Sequence, residues 1–168
     1  RYIPDLAPII VVDEPITEHA DLLGSLRRDR DQTAITTIAL ANSSAPQHAL
    51  NRSTPLLIKA KAELDAFFNG ALQQFTLPLM LKGTEFQRSV WSALFSLRYG
   101  AMISYSEMAT QIGHANACRA VGMAAHRNPI LFALPCHRVC AKNGALSGYV
   151  AGLALKQQLL LMEKQCAA

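Results

Sequence analysis

The spacing of apolar and polar positions divides the chain into a poorly patterned first third and a remainder of well-marked helices. Two β-branched runs, IIVV (9–12) and AITTIALA (34–41), predict strands. Between them, EHADLLGSLRRDRD (18–31) predicts a short helix with a charged end, and ANSSAPQHALNRSTP (41–55), rich in Asn, Ser and Pro, predicts a loop. In STPLLIKAKAELDAFFNG the signals agree. Pro55 suits a first helical position behind a Ser or Thr cap, Leu57, Lys61, Leu64 and Phe68 step along one face, and Gly70 ends the helix. QFTLPLMLKG predicts a strand that runs to a boundary near Lys82 and Gly83.

Beyond that boundary the period is helical. TEFQRSVWSALFSL has Thr84 and Gln87 at capping-box spacing, and Phe86, Val90, Trp91, Leu94 and Phe95 form a wide core-facing stripe. SYSEMATQIG repeats the capping-box spacing with Ser104 and Glu107, and Gly113 stops the helix. NACRAVGMAAHRNP follows almost at once. Two short helices joined by a tight turn form a helix-turn-helix candidate. The second helix is bare: small side chains surround Arg119, so it either packs tightly in a core or lies close to another surface with Arg119 projecting. Asn128-Pro129 forces the chain out of helix, and the apolar ILFALP leads to Cys136. In LALKQQLLLME, Leu159 and Leu160 lie four and three residues before Glu163, which places that carboxylate on their face. The pattern predicts an α+β two-domain chain: a small sheet-plus-helix domain over 1–82 and a mostly helical domain over 83–168.

Composition sharpens this picture in two ways. Of 168 residues, 51% are apolar and 17% charged, which is globular rather than disordered, and no apolar run approaches the length of a spanning helix. APIIVV is short and has no basic leader, so neither a membrane segment nor a secretory signal is read. The chain opens on Arg1 rather than Met, as a fragment, a processed product or an excised domain would. The net charge of +4 is uneven: residues 1–81 carry seven Lys/Arg against nine Asp/Glu, and residues 82–168 carry nine against three. A basic second half points to an anionic partner, with nucleic acid first, or to ordinary solvation by scattered Lys and Arg.

The candidate chemistry centres on LPCHRVC (134–140). Of the four cysteines, Cys118, Cys136, Cys140 and Cys166, none falls into paired zinc-ligand spacing, and a reducing setting disfavours disulfides. Cys136 is then a buried apolar residue or a nucleophile, ahead of a poorly spaced metal site with His137 and Cys140. His137 and Arg138 beside it would favour a thiolate, but neighbours on a straight strand point opposite ways, so cooperation needs a bend or a bridging water. Pro135 and the nearby turn AKNGALSG supply a bend. A Cys136–His137–Glu163 relay would also supply the partner that a buried Glu163 requires.

PCHRV (135–139) is the signature of the O6-alkylguanine-DNA alkyltransferases, and GTEFQRSVW, ISYSEMATQIG, CRAVGMAAHRNPI, NGALSGY and GLALKQQLLLMEK resemble successive blocks of that family in order, from about Ser53 to Glu163. The resemblance implies direct-reversal DNA repair in a winged-helix-like C-terminal domain. One irreversible transfer moves a methyl or larger alkyl group from guanine O6 (and by extension O4-methylthymine) in duplex DNA to Cys136, with no cofactor and no metal. It implies that His137 acts as base through a water, Glu163 orients His137, and Tyr105 donates a hydrogen bond to the flipped guanine. Arg119, with Ala117 and Cys118 beside it, would enter the duplex. Asn128 would link the DNA-binding helix to the reactive strand, and Tyr149 and the backbone of Val139 would line the base pocket. Double-stranded DNA is the implied partner of a cytoplasmic monomer, nuclear in a eukaryotic cell. Residues 1–53 lack the glycine-containing hairpin expected of the family, so the first domain reads as divergent; Cys118 and Cys140 read as packing variants. Three alternatives stand beside this reading: a lesion-binding module, a regulator that uses alkylated Cys136 as a signal, and a cysteine hydrolase.

Overall fold

The computed structural model describes residues 9–15, 21–23, 33–40 and 54–167. The chain divides into two compact units, Arg1–Lys82 and Gly83–Ala168.

In the first unit β1 (Ile9–Pro15) pairs antiparallel with β3 (Thr33–Leu40), Ile9 opposite Leu40, with an irregularity between Val12 and Asp13. β4 (Leu79–Leu81) lies parallel to β3, and β2 (Asp21–Leu23) closes the far edge antiparallel to β4, giving the order β1-β3-β4-β2. Residues 21–23 are therefore strand where the local sequence predicts helix. A three-residue edge strand has little intrinsic preference of its own, and pairing with β4 decides it. The QFTLPLMLKG strand is shorter than expected: only Leu79–Leu81 join the sheet. The loop expected over 41–55 falls almost wholly outside the described residues.

Helix α1 (Pro55–Phe68) starts as expected, with Pro55 in its first turn and the Thr54 hydroxyl accepting from the Leu57 amide. That hydroxyl also donates to Asp13 at 2.7 Å, which ties the cap to β1. The buried stripe is Ala60, Glu63, Leu64 and Phe67 rather than Leu57, Lys61, Leu64 and Phe68. Lys61 is turned outward, in an ion pair with Asp65 at 2.6 Å. Glu63, on the inward face, accepts from the Thr76 amide and is not left alone.

The second unit is helical: α2 (Glu85–Phe95), α3 (Tyr105–Gln111), α4 (Cys118–His126) and α5 (Leu153–Cys166), with a two-residue parallel pair, β5 (Ile103–Ser104) and β6 (Val139–Cys140). Both expected capping boxes form, Thr84 with Gln87 and Ser104 with Glu107. Each satisfies two otherwise orphaned amides and contributes about 1 kcal/mol. α3 and α4 are the helix-turn-helix pair. Small residues let α4 lie close to its neighbours: Val121, Ala124 and Ala125 are buried, and the Trp91 indole of α2 donates to the Ala124 carbonyl at 2.9 Å. The opposite face of α4, with Arg119, Met123 and His126, is exposed.

Gly83 is required by close approach, since a Cβ there would stand 2.6 Å from the Trp91 ring and 2.9 Å from Gln87 Oε1. Gly83→Ala is expected to displace the indole at a cost of about 1–3 kcal/mol, lowering the melting temperature by roughly 4–8 °C per kcal/mol. As Trp91 is the sole tryptophan, a shift in its emission in the same melt reports the displacement directly.

Candidate active site

The chain between α4 and β6 is shaped by Asn128. Its Oδ1 accepts from the Ile130 amide at 2.9 Å, and its Nδ2 donates to the Leu134 carbonyl at 2.7 Å and to Cys136 Sγ at 3.1 Å. The side chain thus staples both ends of the loop 130–134 and holds the thiol with the same amide. Within that loop Phe132 takes a left-handed backbone, φ 69°, while buried. Such a conformation costs a non-glycine residue about 1–2 kcal/mol and persists where packing over-determines it. Residues Cys136–Arg138 then form one 3-10 turn and only Val139–Cys140 are strand, so the expected reactive strand is mostly a turn. With three residues per turn, successive side chains fan out by a third of a circle instead of alternating. His137 and Arg138 can therefore serve one centre while Cys136 is held by Asn128.

That centre is Glu163. It and His137 are both fully buried, with His137 Nε2 2.7 Å from Glu163 Oε1. Arg138 donates through Nε to Oε2 and through Nη2 to Oε1, each at 2.8 Å, and through Nη1 to the Leu97 carbonyl. The Gly100 amide adds a donor to Oε2 at 3.0 Å, from a backbone with φ 74° that glycine tolerates. Burial pushes the Glu163 carboxyl up, but the hydrogen bonds and charges of His137 and Arg138 outweigh it and hold the group at about 2. An ionised carboxylate only accepts, so the His137 proton sits on Nε2 and Nδ1 is the basic nitrogen. Burial lowers the His137 pKa; the Glu163 contact opposes this, and the Arg138 and Lys156 charges add to it. His137 is a neutral imidazole at pH 7.

Burial also pushes the Cys136 thiol up to about 11, against the smaller opposing effects of the Asn128 hydrogen bond and the Lys156 charge. The resting group is a thiol, and its reaction needs a base. Arg138, expected to favour the thiolate, is committed to Glu163 instead. The cation whose charge acts on the sulfur is Lys156, and the sequence reading missed it. It is fully buried, and its ammonium donates to the carbonyls of Val139 (2.6 Å), Ser147 (2.7 Å) and Gly148 (3.3 Å). The signal was present: Lys156 lies three residues before Leu159 and seven before Glu163, on the inward stripe of α5.

Cys136 opens on a cavity of about 310 Å³ between α4, Tyr105 and the segment Ser147–Val150. The buried lining residues Cys136, Ala125 and Tyr149 form its floor; the exposed Met123, His126 and Gly148 form its rim. The Tyr105 hydroxyl donates to the Ser147 carbonyl at 3.2 Å, and the Tyr149 ring stands edge-on to His137 with centroids 6.4 Å apart. Val139 is not among the lining residues; its carbonyl accepts from Lys156. Cys136, His137, Glu163, Asn128, Tyr105 and Tyr149 are thus brought together, whereas Ala117, Cys118 and Arg119 sit at the start of α4, outside the cavity lining. All four cysteines are thiols, and Cys140 is turned to the Ile103 carbonyl rather than to a site shared with Cys136 and His137. No helix among the described residues is long and apolar enough to cross a membrane.

A buried thiol with an imidazole–carboxylate pair beside it, next to the packed helices α3 and α4, is an arrangement suited to covalent group transfer. Residues 85–165 match the family described as 6-O-methylguanine DNA methyltransferase, DNA binding domain. The methylated-DNA–protein-cysteine methyltransferase of Methanosarcina acetivorans is 48% identical over 108 residues, 64% of this chain and 69% of the relative. The crystal structure of Mycobacterium tuberculosis OGT in complex with DNA superposes with a TM-score of 0.74 at 34% identity, covering 94% of this chain and 93% of the other. The same organism's O6-methylguanine methyltransferase gives 0.72 at 37% identity, over 81% of this chain and 87% of the other. The chain belongs to the methylated-DNA–protein-cysteine methyltransferase family.

The depressed Glu163 pKa has a signed consequence for stability. The stability it contributes is present above the unfolded carboxyl pKa of about 4.3 and is lost as pH falls toward the folded value of about 2. Thermal unfolding across pH 5 to 2 is expected to show this loss in the native chain. In Glu163→Gln it is reduced, on top of a pH-independent penalty of about 3–5 kcal/mol for leaving Arg138 buried without its counter-charge.

Proposed function

We propose that this chain performs direct-reversal DNA repair, moving a methyl or larger alkyl group from O6 of guanine in duplex DNA to Cys136, once per molecule. The observation that carries the proposal is the thiol on the floor of a base-sized cavity, hydrogen-bonded by Asn128 beside the neutral His137 and its ionised Glu163. His137 takes the thiol proton through a bridging water, and sulfur attacks the alkyl carbon in line with its bond to O6. That C–O bond breaks, its electrons go to guanine, and the proton returns to the base: a thiol and an alkyl ether become a thioether and unmodified guanine. The thioether offers water no displaceable group, so the molecule acts once.

Displacement in line is blocked inside stacked DNA, so the base must rotate out at a cost of a few kcal/mol. Arg119, exposed on α4, fills the gap and offsets part of that cost. Small neighbours, among them Ala117 and Cys118, let the helix approach closely. Phosphate contacts from the basic unit Gly83–Ala168 supply affinity without sequence preference. Tyr105 is kept protonated, since burial raises its pKa. When its hydroxyl turns from the Ser147 carbonyl to the guanine, Lys156 still satisfies that carbonyl. Tyr149 flanks the base. The winged-helix-like arrangement, the monomeric state and the cytoplasmic location (nuclear in a eukaryotic cell), where Cys136 stays reduced, belong to the same reading.

Intact mass after mixing with a duplex carrying one O6-methylguanine is expected to rise by one methyl group, stop at one equivalent and stay unchanged in Cys136→Ala. Lesion binding without mass gain would favour a binding module, and catalytic turnover a hydrolase. Because the reaction needs neutral His137, whose pKa lies below its usual value, the single-turnover rate is expected to be flat from pH 8 to about 6.5 and to fall only at lower pH. A rate that climbs steeply up to pH 9 would point instead to direct titration of the thiol.

A further inference from the structure

Met123 is a large apolar side chain in an unusual place. It is 54% exposed, yet it lines the cavity that ends at Cys136, so it stands on the rim rather than the floor. The rest of the exposed face of α4 is small or charged, and Met123 is its one large apolar side chain. Four residues separate it from Arg119, which places the two on one helical face about one turn apart. Of α4, Gly122, Met123 and His126 line the cavity with the buried Ala125, and Arg119 does not. Core packing does not require Met123 to be large, because Val121, Ala124 and Ala125 are the buried residues of this helix.

We propose that Met123 is a positioning and specificity residue that clasps the sugar of the extruded nucleotide as it crosses from the duplex to Cys136. This rests on the repair reading above. If Arg119 occupies the gap left in the helix stack, the displaced nucleotide must pass over the next turn of α4 to reach the floor, and that turn carries Met123. A deoxyribose presents an apolar face of C–H groups. The unbranched, polarizable thioether can mould to it and lose water that it otherwise orders. Gly122 beside it presents no side chain to the cavity, where a Cβ would stand 3.7 Å from the Tyr105 ring. The same side chain narrows the mouth against bulky groups arriving without a sugar. Met123 therefore holds nucleotides attached to DNA and hinders free bases.

The two effects have opposite signs, which makes them separable from a general loss of fold. The test is the second-order rate of Cys136 alkylation by O6-benzylguanine presented in a duplex and, separately, as the free base. It compares the native protein, Met123→Ala and Met123→Leu. Met123→Ala is expected to slow the duplex reaction by about three- to tenfold, the value of losing a partly buried side chain of this size. It should leave the free-base reaction unchanged or faster. Met123→Leu, which restores apolar volume, is expected to recover most of the duplex rate. An equal fall with both substrates, or no change with either, would overturn the proposal. A native protein that accepts no alkyl group from either substrate would instead overturn the repair reading, and the role of Met123 with it.

Discussion

A carboxylate buried without solvent must be surrounded by donors, and the second unit is organised around meeting that demand for Glu163. Four donors converge on it from two separate stretches of chain: the His137 ring, two nitrogens of Arg138 and the Gly100 amide. Arg138 supplies the counter-charge and the others supply hydrogen bonds, so losing Arg138 would leave a buried charge uncompensated. The consequence for chemistry is a definite tautomer. Because the carboxylate stays ionised, the imidazole proton is pinned at Nε2 and the basic nitrogen is Nδ1. Arg138 is thereby a member of the structural cluster rather than an activator of the neighbouring thiol.

A second buried charge, Lys156, does for the pocket wall what Arg138 does for the carboxylate. Its three carbonyl contacts join α5 to β6 and to the segment Ser147–Gly148, which forms one side of the cavity. Its charge also acts on Cys136, although burial still dominates and keeps the resting sulfur protonated. A protonated resting thiol is less open to adventitious oxidation and alkylation. At rest the cavity floor therefore carries a protonated thiol beside a neutral imidazole. Asn128 joins this arrangement to α4, since one side chain ends the helix loop, satisfies Leu134 and contacts the sulfur.

Much of this was legible in the chain. The caps at Thr54, Thr84 and Ser104, the stripe at Val90, Trp91 and Leu94, and the inward Glu163 follow from side chains three and four residues apart, interactions that local geometry determines. The Cys136–His137–Glu163 grouping was legible because a buried carboxylate needs a partner and the PCHRV block supplies one. Where local signals were weak, the reading went astray. On α1 a lysine was counted on the inward face and Phe68 was preferred to Phe67, because an amphipathic stripe alone does not reveal that Lys61 has an outward partner in Asp65. Residues 21–23 were read as helix because nothing within three residues announces an edge strand.

The helix caps at Thr54, Thr84 and Ser104 depend on contacts within a turn of helix and so belong to the chain itself, and the PCHRV block marks the candidate site residues. Only the tertiary structure decided what the cations do. Arg138 lies next to Cys136 in the chain and far from Glu163, yet the 3-10 turn swings its guanidinium onto the carboxylate. Lys156 lies far from Cys136 in the chain, yet α5 carries it close enough for its charge to act on the sulfur. Electrostatic partnership depends on distance through space and on how much water is excluded from the gap. Neither quantity exists until the chain has folded.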